Sequence, residues 1–394
     1  MAGIVGQGTT FDLPNYVGEL FAASPEDTPL LSAIGGLTGG KEANAPIIEW
    51  SGYDLRDPDE NRQHVEGDAA PDGEERVRFN VDNVVEIHQE TVDVSYTKQA
   101  AVGLRNGQNI DGTNAVTAEM PWQVLQSIKQ VARDVEASFI RGQYAKPSDN
   151  TTPRKTRGIL QAIATNVVNL GEAHTDLSAA TTVITEASTD LANDDKVIFT
   201  DIGASTAIKL NTVYYVVSKA SGAFSVAATK GGTAITIGTA TVSLYKLTTT
   251  APTKATYDAL FQQVWDNGGL TESETATIMV GSSQKLNLSN AYSDGINNRV
   301  PDRNVGGVNF ETIVTDFGKF NVALNRWMPA DAFTILSLEQ LNPVFLNIPG
   351  KGHFFQDELA KVGASDRQML YGEIGLEYGN EKAHGVIRGL PTTR

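Results

Sequence analysis

Apolar residues recur at helical spacing from Val124 through Leu125, Ile128, Val131 and Val135 to Phe139, and this stripe predicts the longest helix of the chain, 117–142. Thr117 supplies a capping hydroxyl, Glu119 falls in the positively polarised first turn, Pro121 is early enough to be tolerated, and Gly142 stops the pattern. About 25 residues at ~1.5 Å each make a rod of roughly 37 Å, apolar along one face. A second helical pattern runs from Thr256 to Trp265 and ends at Gly268-Gly269. A different rhythm governs Pro46–Trp50 and Thr91–Tyr96, two strand-like runs that flank a polar excursion. Between them lie Asp54, Asp57, Asp59, Glu60, Glu66, Asp68, Asp72, Glu74 and Glu75, with Arg56, Arg62, Arg76 and Arg78 interspersed. An excursion of two strands has too little apolar surface to be stable alone, so it is expected to lie against something else.

After Arg157 no arginine occurs until Arg299, and 171–250 becomes rich in Thr, Ala, Gly and Val. Short strand-like runs follow at Lys196–Phe199, Thr212–Val217, Ala223–Val226, Ala234–Ile237 and Val242–Tyr245, with turn residues between them. That spacing is the signature of a small all-β sandwich or barrel. Alternation returns in Phe320–Leu324 and Phe333–Leu336 within a mixed C-terminal body. Five segments result: an arm over 1–45, whose patterned part runs from Leu20 to Leu37; the charged excursion over 46–102; the long-helix region over 103–170; an inserted β domain over 171–250; and a body over 251–394. The fold class is α+β.

Length and charge narrow the function. At 394 residues the chain is long enough for two to three domains by the usual ~150 residues each. With 31 Lys+Arg against 47 Asp+Glu the net charge is −16, the wrong sign for a protein that grips nucleic acid by neutralising phosphates. No cysteine is present, which excludes disulfides, thiolate metal sites and cysteine nucleophiles and fits a reducing compartment. The first residues lack the basic and long apolar regions of a signal peptide, and no apolar run is long enough to span a membrane, so a soluble, non-exported protein is expected.

Motifs that carry chemistry are absent or incomplete. Gly35-Gly36-Leu37-Thr38-Gly39-Gly40-Lys41 has the spacing of a phosphate-binding loop, but Glu42 stands where Ser or Thr must meet magnesium, and a hinge is the better reading. Ser282-Ser283-Gln284-Lys285 has the Ser-x-x-Lys spacing of acyl-transfer enzymes without its companion Lys-Thr-Gly, so Ser282 or Ser283 is expected to cap a helix instead. His64, His88, His174, His353 and His384 show no metal-ligand spacing, and a zinc site would need a tertiary coincidence. No catalytic residue, cofactor or metal is expected. Tyr214, Tyr215 and Tyr245 leave open an alternative, a carbohydrate or cell-surface binding site on the β domain, although tyrosines in strand runs are more often packed.

The order of segments resembles the major capsid proteins of tailed bacteriophages, which have the Hong Kong 97-type fold. Phe11–Leu20 and Ser24–Leu30 match the family's N-terminal arm; Glu49-Trp50, Glu66-Gly67, Asn80 and Val94–Thr97 match its extended loop; and Arg157-Gly158-Ile159 matches the turn after its spine helix. Thr315–Gly318, Asn325–Pro329 and Asn380–Gly385 match its C-terminal body. The resemblance covers about four-fifths of the chain, everything except 171–250. It implies that 103–170 is a peripheral domain with the spine helix and that 251–394 is an axial domain with a return to the peripheral one. It also implies a structural subunit, not an enzyme, that assembles as hexamers and pentamers of itself into an icosahedral shell around double-stranded DNA. Scaffold, portal and decoration proteins would be its partners, assembly would occur in the host cytoplasm, and the protein would end in the virion, with no membrane. On this reading Trp50, Arg56, Arg62, Arg76 and Arg78 are the candidates for contacts between subunits.

Overall fold

The computed structural model describes residues 26–53, 55, 58–70, 73–76, 78–100, 119–186, 190–209, 212–270, 276–292, 299–305 and 308–392. The arm up to Pro25, Arg56 and the stretch 101–118 with the expected Thr117 cap lie outside them.

The long helix runs Glu119–Arg141 and stops where the Gly142 N–H donates to the Ser138 carbonyl at 2.7 Å. The chain then doubles back, and the Gly158 N–H donates to the Gly142 carbonyl at 2.9 Å. A Cβ on Gly158 would lie 2.4 Å from the Gly142 nitrogen, so close approach of two backbones requires glycine here. The helix buries Val124, Val131, Val135, Phe139 and Ile140, and with them Glu136. Leu125 and Ile128, expected on the same stripe, are instead 50% and 37% exposed. In the first half of the helix, Val124 and Met120 pack against Val92 and Val94 of the strand Glu86–Ser95.

Two sheets share the core. In the first, Ser365–Glu377 pairs antiparallel with Glu86–Ser95 along one edge and with Phe354–Glu358 and Asn342–Leu346 along the other; Lys41–Ala43 adds in parallel beyond the last. The second has seven strands, with Ala276–Val280, Gly318–Leu324, Phe333–Ser337 and Gly385–Arg388 at its centre. Met279, Ala323, Leu336 and Val386 pack with the long helix, while their neighbours Ile278, Val322, Ile335 and Ile387 pack with Tyr257, Leu260, Phe261 and Val264 of the helix Lys254–Asp266. The period of two sends alternate side chains into two different cores, so the central strands are apolar without a break.

Several expectations need correction. The excursion's returning strand is Arg78–Val84, paired with Ile47–Tyr53, whereas Thr91–Ser95 belongs to the first sheet. The glycine-rich segment, expected to be a hinge, is packed at both ends. Gly35 ends the helix Pro29–Ile34, and Gly40, at φ +138°, sits where a Cβ would lie 2.3 Å from the Pro343 carbonyl. The helix Ser282–Ala291 has Gly281 as its N-cap, with no side-chain cap from either serine.

In the stretch read as inserted, six strands close into a barrel in the order Ala223–Ala227, Val183–Thr185, Glu172–Ala180, Ala240–Lys246, Lys196–Asp201 and Val213–Ala220. Its first hairpin escaped the sequence reading because a bulge at Asp176 (φ 54°) puts His174 and Leu177 both inside, which breaks the alternation. Ala234–Ile237, read as a strand, forms none: the Ile235 N–H donates to Val226 and the Ile237 N–H to the Thr181 turn, so no ladder develops. The chain enters and leaves the barrel side by side, since the Leu170 N–H donates to the Arg388 carbonyl and the Thr248 N–H to that of Gly389.

Buried polar groups join the parts. The Glu136 carboxylate, fully buried on the long helix, accepts the Leu30 N–H at 2.9 Å, the Leu31 N–H at 2.6 Å and the Asn325 amide at 2.6 Å. It satisfies the start of the helix Pro29–Ile34, for which Thr28 provides no side-chain cap. Burial pushes its carboxyl above the ordinary range, and the three donors pull it back. His384 is buried between the Ser337 N–H, which donates to Nδ1 at 3.2 Å, and the Tyr378 carbonyl, which accepts from Nε2 at 2.9 Å. These roles fix a neutral tautomer, and burial lowers its pKa to about 4.

Glu136→Gln puts an amide N–H against a backbone N–H and is expected to lower subunit stability by about 2–4 kcal/mol in urea unfolding; an unchanged midpoint would contradict the three-donor arrangement. His384, depressed from 6.5 to about 4, contributes stability above pH 6.5 that is lost as pH falls toward 4, about 3 kcal/mol in all. Asp331, buried and pushed up to about 6, titrates in the opposite sense, so the histidine is isolated by difference. The stability gap between the native chain and His384→Gln should narrow by that amount from pH 7 to pH 4, and a constant gap would contradict the assignment.

Candidate functional site

The antiparallel ribbon Ile47–Tyr53/Arg78–Val84 is the part of the chain whose burial fades along its length. At its root Ile48, Asn83 and Val84 are buried; at its outer end Tyr53 and Phe79 are 71% and 50% exposed. Leu55 and Val65 in the connecting loop are also exposed. Phe79 lies across Gly52, where a Cβ would meet its ring at 2.4 Å. Four large apolar side chains thus stand exposed on a projection without a core of its own.

The root is held by hydrogen bonds that buried polar groups must make. Asn83 Nδ2 donates to the Leu376 carbonyl at 2.7 Å and to that of Arg157 at 3.2 Å, and its Oδ1 accepts the Arg157 N–H at 2.7 Å. Trp50 Nε1 donates to the Gly379 carbonyl at 2.8 Å, and its ring meets Tyr378 edge-on at 4.8 Å. Asp82 accepts the Tyr144 hydroxyl proton at 2.6 Å, which holds its carboxyl below the usual range. The Arg157 guanidinium lies over the Tyr144 ring and donates to the Tyr378 hydroxyl at 2.9 Å. Trp50, expected between subunits, therefore spends its N–H inside its own chain.

The loop is laced by its own charges. Arg62 pairs with Glu74 and stands 3.9 Å from Asp59, Arg76 reaches the other Glu74 oxygen at 2.8 Å, and His64 meets Asp68 at 3.1 Å. Arg78 is exposed and has no ion pair with a described residue, and Arg56 lies outside the described residues. The structure thus brings Arg62 and Arg76 together around one carboxylate, while Trp50 joins the body. Asn83, Arg157 and Tyr378, the residues that aim the ribbon, were not singled out beforehand as site residues; only Arg157, in the turn after the long helix, carried a signal. Of the tyrosines considered for a binding surface on the β domain, Tyr214 is buried in the barrel core against Phe199.

Asn83→Ala leaves several buried backbone groups without partners and is expected to cost the subunit about 2–4 kcal/mol, whereas exposed Arg62→Ala should change it by less than about 0.5 kcal/mol. Thermal melts of the two variants check this, and equal effects would contradict the division into root and loop.

The family model described as SU10 major capsid protein matches residues 3–391. A major capsid protein of Escherichia phage Phieco32 is 24% identical over 402 residues, covering 96% of this chain and 94% of that protein. Among solved structures, the capsid of cyanophage A-1(L) aligns with a TM-score of 0.53 at 12% identity, covering 98% of this chain and 99% of the other. The capsid of cyanophage P-SCSP1u aligns with a TM-score of 0.51 at 9% identity, covering 97% and 94%.

Proposed function

The chain belongs to the SU10 major capsid protein family, with the Hong Kong 97-type fold and a structural role in a phage capsid, and from that premise we propose how its subunits join. The ribbon Ile47–Tyr53/Arg78–Val84 is the extended loop, and it lies across the neighbouring subunit of a ring. The observation that carries this is the gradient along the ribbon, buried at Ile48 and Val84 and exposed at Tyr53, Leu55, Val65 and Phe79. On the neighbour the apolar tip supplies buried area, and Arg56, Arg62, Arg76 and Arg78 meet carboxylates that set register more than affinity. Arg62 and Arg76 then share or exchange the Glu74 partner they hold in the free subunit.

Rings of six and five close into an icosahedral shell, because heterologous contacts that repeat by rotation need no second kind of subunit. The shell encloses double-stranded DNA, and the net charge of −16 keeps the wall from adhering to it. Assembly in the host cytoplasm, with scaffold and portal partners, completes the reading. No step of it needs a catalytic group.

Electron microscopy and native mass measurement of the expressed chain, with a scaffold supplied where required, should show rings or shells. Arg62→Glu with Arg76→Glu should reduce their yield several-fold while the melt of the free subunit barely moves. A strictly monomeric chain under all these conditions would overturn the proposal, and a collapsed melt would place the two arginines in an internal network.

A further inference from the structure

At the root of the barrel, the side chains of Glu172, His174 and Asp190, each able to ligate a metal ion, converge. His174 is 5% exposed, and its Nδ1 lies 2.8 Å from Glu186 Oε1. A carboxylate accepts and does not donate, so Nδ1 carries a proton toward Glu186 and Nε2 points the other way. That Nε2 is buried with no hydrogen-bond partner among the described residues, and it faces Asp190 Oδ1 at 3.8 Å. The Glu172 carboxylate joins them, and the ligand atoms of Glu172, His174 and Asp190 all lie within 4.8 Å of one another. Lone pairs brought this close repel unless a proton or a metal ion stands between them.

The neighbouring cation does not fill the place. Lys246 Nζ lies 3.4 Å from Asp190 Oδ2, the oxygen turned away from the imidazole, and 3.1 Å from Asp195 Oδ2. A proton on His174 would serve Asp190 but leave the two carboxylates facing each other. We propose that Glu172, His174 and Asp190 bind a divalent transition-metal ion, of which Zn²⁺ is the best fit to one imidazole nitrogen and two carboxylate oxygens. Side-chain rotations that close the pairs to ~3.4 Å bring the three atoms onto a shell of ~2.0–2.2 Å, with water completing a tetrahedron. Glu186 is the positioning residue, since a carboxylate on the far ring N–H fixes the tautomer and raises the basicity of the ligating nitrogen.

The location gives the ion a structural task. Glu172 opens the first barrel strand and pairs with Lys246, which closes the last, while Asp190 lies in the connection leading to Lys196–Asp201. A metal there staples that connection to the point where the barrel meets the body.

The test is calorimetric titration of the EDTA-stripped full chain with Zn²⁺ at pH 7, with a melt recorded alongside. One equivalent should bind per chain and raise the barrel's melting temperature. Glu172→Gln and Asp190→Asn, both at exposed positions, should each weaken binding at least tenfold, and Glu186→Gln about ten- to a hundredfold. Lys246→Met should retain or tighten it. Absence of saturable 1:1 binding to the native chain, binding undiminished in Glu172→Gln and Asp190→Asn, or binding that appears only in Lys246→Met would each overturn the proposal.

Discussion

A ribbon of two strands has no second face to bury, so its direction is set entirely by how its one buried end is held. In this subunit that end is the Asn83 side chain. Its amide and carbonyl reach the backbone of Arg157, after the long helix, and of Leu376, in the longest strand of the first sheet. Trp50, on the partner strand, adds a hydrogen bond to Gly379 and a ring contact with Tyr378. Helix, sheet and ribbon are thereby referred to one point, and the exposed apolar tip is delivered at a fixed angle to the body.

The rest of the body follows the same rule of satisfying buried polar groups across elements distant in sequence. Glu136 joins the start of the helix Pro29–Ile34 to the long helix and to Asn325, while the Trp327 indole and Arg326 hold Asp27 beside it. His384 joins Ser337 to Tyr378. The seven-stranded sheet then serves as a common wall, its alternate residues filling two cores.

Elements whose burial follows from a local period were legible in the sequence. The long helix stops at Arg141, one residue before its expected limit, and Phe320–Leu324 and Phe333–Leu336 are central strands. What was not legible depended on partners far along the chain. Leu125 and Ile128 fit the apolar stripe yet stay exposed, because nothing among the described residues reaches the front of the helix on that side. The first barrel hairpin was hidden by the bulge at Asp176. Asn83, Glu136 and His174 carry no local signature at all, since an isolated polar residue reads the same whether it is solvated or tied into a core. The charged excursion was visible as a charge run, but its returning strand was misplaced because Arg78–Val84 mixes Arg, Asn and Asp with its apolar positions.

The central claim is that the ribbon is ordered at its root by its own chain and covered at its tip by a neighbour. Amide hydrogen exchange, compared between free subunits and assembled particles, measures this directly. The account predicts slow exchange at Ile48 and Val84 in both states, and at Tyr53 and Phe79 fast exchange in the free subunit that becomes slow in particles. Equal exchange at the tip in the two states would contradict it.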